Sequence, residues 1–246
     1  MKKRVKLTVA YDGTNYCGWQ IQPNGITIEE VLNKNLSELL REEIIVIGAS
    51  RTDAGVHAYR NVAVFDTESK IPAEKICYAV NQKLPEDIRV MKSEEVAGDF
   101  HPRYCDSRKT YEYKILNEHF CIPTMRNYVA LYTYPLDEEK MQEMAKYFIG
   151  THDFKSFCAA KSQVNTTVRT ITDFRVRRDG NLITLTVTGT GFLYNMVRIL
   201  AGTLMRAGSG YFKPEDAVKI LEARDRKAAG PTAPARGLYL KEIQYL

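Results

Sequence analysis

The spacing of hydrophobic residues in this chain switches repeatedly between a period of two and a period of three to four, in both halves. Val5, Leu7 and Val9 alternate with Lys6 and Thr8, which predicts a half-buried strand running into a loop at Asp12-Gly13. Thr27 and Glu30 then form a capping box ahead of Ile28, Val31, Leu32, Leu36, Leu39 and Leu40, an amphipathic helix by spacing. A strand is expected over Ile44 to Gly48, a polar turn over Ser50 to His57, and strands near Val62 to Phe65 and Ile88 to Val96. A helix is expected between those two strands, near Pro72 to Leu84.

The second half begins again with Tyr111, Tyr113 and Ile115 alternating against polar neighbours. A helix follows from about Asp137 to Ile149, and Asp179-Gly180 reads as a hairpin turn between Ile171 to Arg178 and Leu182 to Val187. A long helix is predicted over Leu193 to Ala207, a short one after Pro214, and a last strand near Leu238 to Ile243. No repeat of 20 to 50 residues and no flexible linker interrupts the order. An α+β chain of two lobes, with sheets that can join and a cleft between them, fits this pattern. The expected division is residues 1–100 and 101–246.

Charge separates the halves. The chain of 246 residues carries 35 Lys and Arg against 30 Asp and Glu. Residues 1–100 hold 13 basic and 15 acidic side chains, and the remainder 22 and 15, so a polyanion would lean on the second half. The five cysteines, Cys17, Cys77, Cys105, Cys121 and Cys158, are scattered and contain no C-x-x-C pair, as expected of reduced thiols in a cytoplasmic protein. Lys6 and Asp12 interrupt any apolar run after the basic N-terminus, so no export signal is expected. Residues 180–205 are broken by Arg198 and rich in Thr, Gly and Asn, which argues against a membrane span.

Familiar cofactor signatures are missing. There is no G-x-x-x-x-G-K-[ST] loop, Gly189-Thr190-Gly191 lacks a third glycine, and the four histidines show no metal spacing. Chemistry without a metal or nucleotide cofactor is therefore expected. The polar turn Ser50-Arg51-Thr52-Asp53-Ala54-Gly55-Val56-His57 stands between two apolar runs. Taken alone, it is a tight turn whose aspartate caps backbone N–H groups. Arg198 changes that weighting. It is the sole charge from Gly180 to Met205, shares a helical stripe with Tyr194 and Gly202, and in so apolar a setting needs an anionic partner or a route for its stem to solvent. A carboxylate in the cleft would serve.

These segments, together with Lys109-Thr110-Tyr111-Glu112-Tyr113, the run from Gly191 to Arg198, and Ala233-Pro234-Ala235-Arg236-Gly237-Leu238, closely resemble the TruA family of tRNA pseudouridine synthases. The resemblance extends from Tyr11-Asp12-Gly13 to the final strand, with the motifs in family order. Ser50 departs from the glycine usual before the Arg-Thr-Asp-Ala-Gly run. It implies a homodimer of mixed α/β protomers with largely antiparallel sheets, acting on uridines 38 to 40 of the tRNA anticodon arm. The resemblance further implies that no metal or cofactor takes part. Position by position, it implies that Asp53 is the catalytic carboxylate, Tyr111 stacks on the target base, Arg198 pairs with Asp53, Arg51 helps hold the flipped nucleotide, and Leu238 walls the pocket. Asp53 as nucleophile at C1′, as nucleophile at C6, or as base toward a sugar proton all remain open.

Other features take ordinary readings. Tyr113 is expected to be a sheet or core aromatic, and Arg224, Arg226 and Lys227 a solvated helix end. Trp19 is left between RNA contact and the covering of an apolar edge. Two rival functions are a hydrolase pairing Asp12 with Asp53 and a non-catalytic RNA-binding module. A shared-proton pair gains nothing from a guanidinium that keeps one member ionised, which disfavours the first; loss of function in Asp53→Asn would exclude the second.

Overall fold

Alternation along the first strand becomes alternation of burial. In β1 (Lys3–Tyr11), Val5, Leu7, Val9 and Tyr11 are buried while the residues between them stay partly exposed. The computed structural model describes residues 2–159 and 165–246. The chain divides into two units, Met1–Ser107 with Leu240–Leu246, and Arg108–Tyr239. The change of unit falls at Ser107, and the last seven residues group with the first unit.

In the first unit, β1 is followed by α1 (Ile28–Leu40), β2 (Ile47–Gly48), β3 (His57–Thr67), α2 (Ala73–Val80) and β4 (Ile88–Val96). β1 lies between β3 and β4, antiparallel to both, and β2 adds to β3. The Thr27 hydroxyl accepts from the Glu30 N–H at 3.3 Å, the first half of the expected capping box. Helix α1 buries Ile28, Leu32, Leu36 and Leu40, one residue per turn. The expected strand over Ile44 to Gly48 shrinks to two residues for a visible reason. The Ser37 hydroxyl takes the Ile44 N–H at 2.9 Å, and the Asn33 amide oxygen takes the Val46 N–H at 2.9 Å, so the helix replaces the ladder there. Likewise α2 stops at Val80, and Asn81 exchanges two hydrogen bonds with the Val90 backbone.

The second unit contains all but the first residue of β5 (Ser107–Asn117), then β6 (Ala130–Tyr132), α3 (Glu138–Lys146), β7 (Gly150–Asp153), β8 (Val168–Asp179) and β9 (Leu182–Gly189). It continues with α4 (Met196–Gly208), α5 (Asp216–Ala223) and the start of β10 (Leu238–Tyr245). β9 is antiparallel to both β5 and β8, β7 is antiparallel to β8, and β6 runs parallel to β5. The β8–β9 hairpin turns where expected, with Gly180 at φ 57°. Phe148, Phe154, Phe157 and Phe174 fill the space beneath this sheet with edge-on and tilted rings. Asp137 caps α3 by accepting from Glu139 and Lys140 N–H groups. Helix α4 begins three residues later than its apolar pattern implies. Asn195 sits at φ 61°, in the left-handed region, so Leu193 and Tyr194 lie ahead of the helix, and Tyr194 does not share a helical stripe with Arg198.

Candidate active site

The loop bearing Asp53 is tied down along its inner side. Ser50 and Thr52 are buried, whereas Arg51 is exposed and Asp53 half-buried. Burial thus alternates along the loop, with Arg51 and Asp53 the residues left accessible. Beneath them, the Trp19 backbone N–H donates to the Thr52 carbonyl at 3.0 Å, and the Tyr11 and Thr52 hydroxyls meet at 2.7 Å. The Asn61 amide donates to the Ser50 carbonyl at 3.0 Å and to the Tyr11 hydroxyl at 3.3 Å. Gly55, at φ 75°, donates its N–H to the Tyr16 carbonyl, while Val56 N–H returns to the Asp53 carbonyl at 3.1 Å. Gly18 has φ 88°, and a Cβ there would stand 2.5 Å from the Thr52 carbonyl oxygen. Only glycine admits so close an approach.

These supports include residues that carried no chemical signature in the sequence. The β1 and β3 registers slip between Val9 and Tyr11, freeing Tyr11 to reach Thr52. Trp19 is fully buried, its ring against Gly48 and tilted toward Tyr11 at 6.0 Å between centroids. It belongs to the core under the loop, which resolves the two readings its sequence left open. Asp12 accepts from the N–H and hydroxyl of Thr14, at 3.0 and 2.5 Å, and lies 3.1 Å from Nδ1 of the buried His57. It shapes a turn.

In the second unit, Tyr111 lies on β5 opposite Val187, nearly buried, with Phe192 edge-on at 5.1 Å. Tyr113, two residues on, is wholly buried and donates its hydroxyl to the Pro234 carbonyl at 2.8 Å; burial pushes its phenol well above the ordinary range. That is a core aromatic, as its pattern indicated. Leu238 is buried at the start of β10. Arg198, on the first turn of α4, is half-buried. Its Nε donates to the Ala233 carbonyl and its Nη1 to the Asn195 side-chain oxygen, both at 2.8 Å. The Ala233 N–H in turn donates to the Arg198 carbonyl at 3.1 Å. Two of the guanidinium's donors are thus fixed, and the fork is aimed rather than free to sweep. Arg226 is also structural, donating to the Gly230 carbonyl and the Thr232 hydroxyl. No cluster of His, Cys, Asp or Glu among the described residues has the arrangement of a metal site.

A profile of the tRNA pseudouridine synthase family matches residues 7–105 and 144–246, both the Asp53 loop and the Arg198 helix. The chain belongs to the tRNA pseudouridine synthase family. It is 49% identical to tRNA pseudouridine synthase A of Thermoanaerobacter sp. strain X514 over 99% of this chain and all of that one. It is 46% identical to the protein of the same name from Acetivibrio thermocellus, again over 99% and 100%. Identity to tRNA pseudouridine synthase A 2 of Clostridium tetani is 49% over the whole of both chains. The activity of this tRNA pseudouridine synthase is the isomerisation of uridine to pseudouridine in tRNA. Its mixed α/β units are the scaffold on which that chemistry stands.

Proposed function

We propose that the enzyme acts on uridines 38 to 40 of the tRNA anticodon arm with Asp53 as its catalytic carboxylate, working without metal or nucleotide as a homodimer in the cytoplasm. The observation that carries the assignment is the strapped loop, whose backbone is held at Ser50 and Thr52 while Arg51 stays exposed and Asp53 half-buried. In this reading Tyr111 stacks on the target base, Arg51 holds the flipped nucleotide, Arg198 is the counter-ion of Asp53, and Leu238 walls the pocket.

The chemistry explains the division of labour. The bond from C1′ to N1 breaks, the uracil turns, and C1′ bonds to C5; C5 loses a proton and N1 gains one, so the product is an isomer and no co-reactant is consumed. The detached base must stay enclosed. Withdrawing the uridine from its stack costs a few kcal/mol, which an aromatic face such as Tyr111 offsets by about 1 to 3 kcal/mol. Attack on C1′, attack on C6 and removal of a sugar proton each require Asp53 ionised, the state a guanidinium favours. The test is Asp53→Asn in single-turnover assays on an unmodified anticodon stem-loop. Turnover should disappear while affinity stays within about twofold, because most binding energy comes from phosphate contacts. Activity above one hundredth of wild type would remove Asp53 from its role.

A further inference from the structure

Residues 97 to 106, between β4 and β5 in the first unit, form a loop whose ends are anchored and whose tip is bare. Tyr245 donates its hydroxyl to the Pro102 carbonyl at 3.0 Å, and the Leu246 N–H donates to the Asp106 carbonyl at 3.0 Å. Phe100 packs edge-on against Tyr245 at 4.9 Å. Between these anchors the His101 and Tyr104 rings stack at 4.1 Å and 18°, and Tyr104 is 83% exposed. The Arg103 N–H donates to His101 Nδ1 at 3.2 Å, which keeps that ring in register with the turn. Such a stack costs exposure of a large aromatic face to water and gains nothing from the core. It is, however, already ordered for a third flat ring.

Arg103 ties this tip to the end of β2, which leads into the Asp53 loop. Its Nε donates to the Gly48 carbonyl at 2.7 Å, three residues before Arg51. Burial, followed by the nearby charge of Arg51, holds the Arg103 guanidinium below its ordinary range, against the pull of Glu29. Neither Arg51 nor Arg103 makes an ion pair among the described residues. With Arg103 held at the Gly48 carbonyl, two guanidiniums whose charges act on one another are relieved by a further anion, and a phosphodiester is the anion this enzyme's substrate supplies.

We propose that Arg51 and Arg103 clamp a backbone phosphate of the tRNA beside the target uridine, and that the His101–Tyr104 stack is a platform for an unpaired neighbouring base. The inference rests on the tRNA-modifying activity and adds a binding subsite to it. Stacking of one base is worth between about fivefold and a hundredfold in affinity. Removing one phosphate-binding cation lowers the salt slope of binding by about one.

Single-turnover pseudouridine formation, with enzyme titrated over a stem-loop at several KCl concentrations, separates half-saturation from maximal rate. Tyr104→Ala should raise the half-saturating concentration about fivefold or more at every salt concentration, with maximal rate within about twofold and an unchanged melt; Tyr104→Phe should match wild type. Arg103→Met should weaken binding about fivefold and reduce the salt slope by about one, and Arg103→Lys should restore the slope. Tyr104→Ala at wild-type half-saturation overturns the platform, and Arg103→Met with an unchanged slope overturns the clamp. A fall in maximal rate with half-saturation unchanged would also overturn it, since the loop would then merely support Asp53. Wild-type enzyme inactive on the stem-loop would refute the anticodon reading instead, and the same variants would then be measured by binding to full-length tRNA.

Discussion

Arg198 shows how the surroundings of one side chain set what it can do. Ala233 and Asn195 occupy two of its donors and orient the rest of the fork. If that fork serves Asp53, Arg198→Met removes the charge that favours the carboxylate, so the aspartate ionises at higher pH in the variant. The rate should then fall steeply near neutral pH and recover in part as pH rises, whereas Asp53→Asn stays inactive throughout. Single-turnover rate against pH tests this, and a wild-type profile in Arg198→Met would end the counter-ion role. A second residue-scale case concerns stability. Arg4 grips Asp66 through Nε at 2.7 Å and Nη2 at 2.9 Å, and this pairing, more than any other influence, holds the Asp66 carboxyl below its ordinary range. A carboxyl with a depressed folded-state pKa adds stability above its unfolded value and loses it as pH falls through the folded one. Asp66→Asn should therefore cost about 1 kcal/mol at pH 7 and converge on wild type in strong acid, as read by urea unfolding at each pH.

At the scale of elements, the packing of α4 against the segment 230–233 is the most exacting in the second unit. A Cβ on Gly202 would collide with the Pro231 carbonyl, and one on Gly230 would stand 2.6 Å from the Thr203 Cα. The Thr203 hydroxyl bridges the two, donating to the Ile199 carbonyl at 2.8 Å and accepting from the Gly230 N–H at 2.9 Å. Gly202→Ala gains helix propensity of about 1 kcal/mol but forces the segment outward at about 1 to 3 kcal/mol. The balance should be a lower melting temperature, by a few degrees, together with a slower reaction, because Ala233 holds the Arg198 Nε. Thermal melts and single-turnover assays check both; an alanine variant at least as stable and as fast as wild type would show that the segment yields freely. Element boundaries follow the same logic. The alternation and caps in the sequence located β1, α1, β4 and the β8–β9 hairpin. The shortened β2 and the late start of α4 depended on Ser37, Asn33 and the left-handed Asn195, whose side-chain and backbone choices answer to their neighbours in the folded chain.

For the molecule as a whole, isomerisation consumes nothing, the sequence holds no G-x-x-x-x-G-K-[ST] loop, and its four histidines show no metal spacing. Activity on a stem-loop that folds without magnesium should therefore survive excess EDTA with less than about a twofold change; complete loss on chelation would refute cofactor-free chemistry. No helix among the described residues is long and apolar enough to cross a membrane. The sequence by itself determined the alternation of strands and helices, the membership of the family through motifs spread over the chain, and the identity of the residues to test: Asp53, Arg51, Tyr111, Arg198 and Leu238. The alternation is a property of spacing and residue type, and the residues to test follow from the resemblance of the motifs to the family; neither needs long-range pairing to be read. Only the tertiary structure decided that Trp19 is core rather than surface, that Tyr11, Asn61 and Gly18 brace the Asp53 loop, and that Arg103 reaches the Gly48 carbonyl. The hydrogen-bonded partners among these stand between 11 positions apart, for Asn61 with Ser50, and 55, for Arg103 with Gly48. A hydroxyl, an amide or a glycine has no chemical mark of its function until packing brings its partner within hydrogen-bonding or van der Waals reach, and packing is the one thing local pattern does not encode.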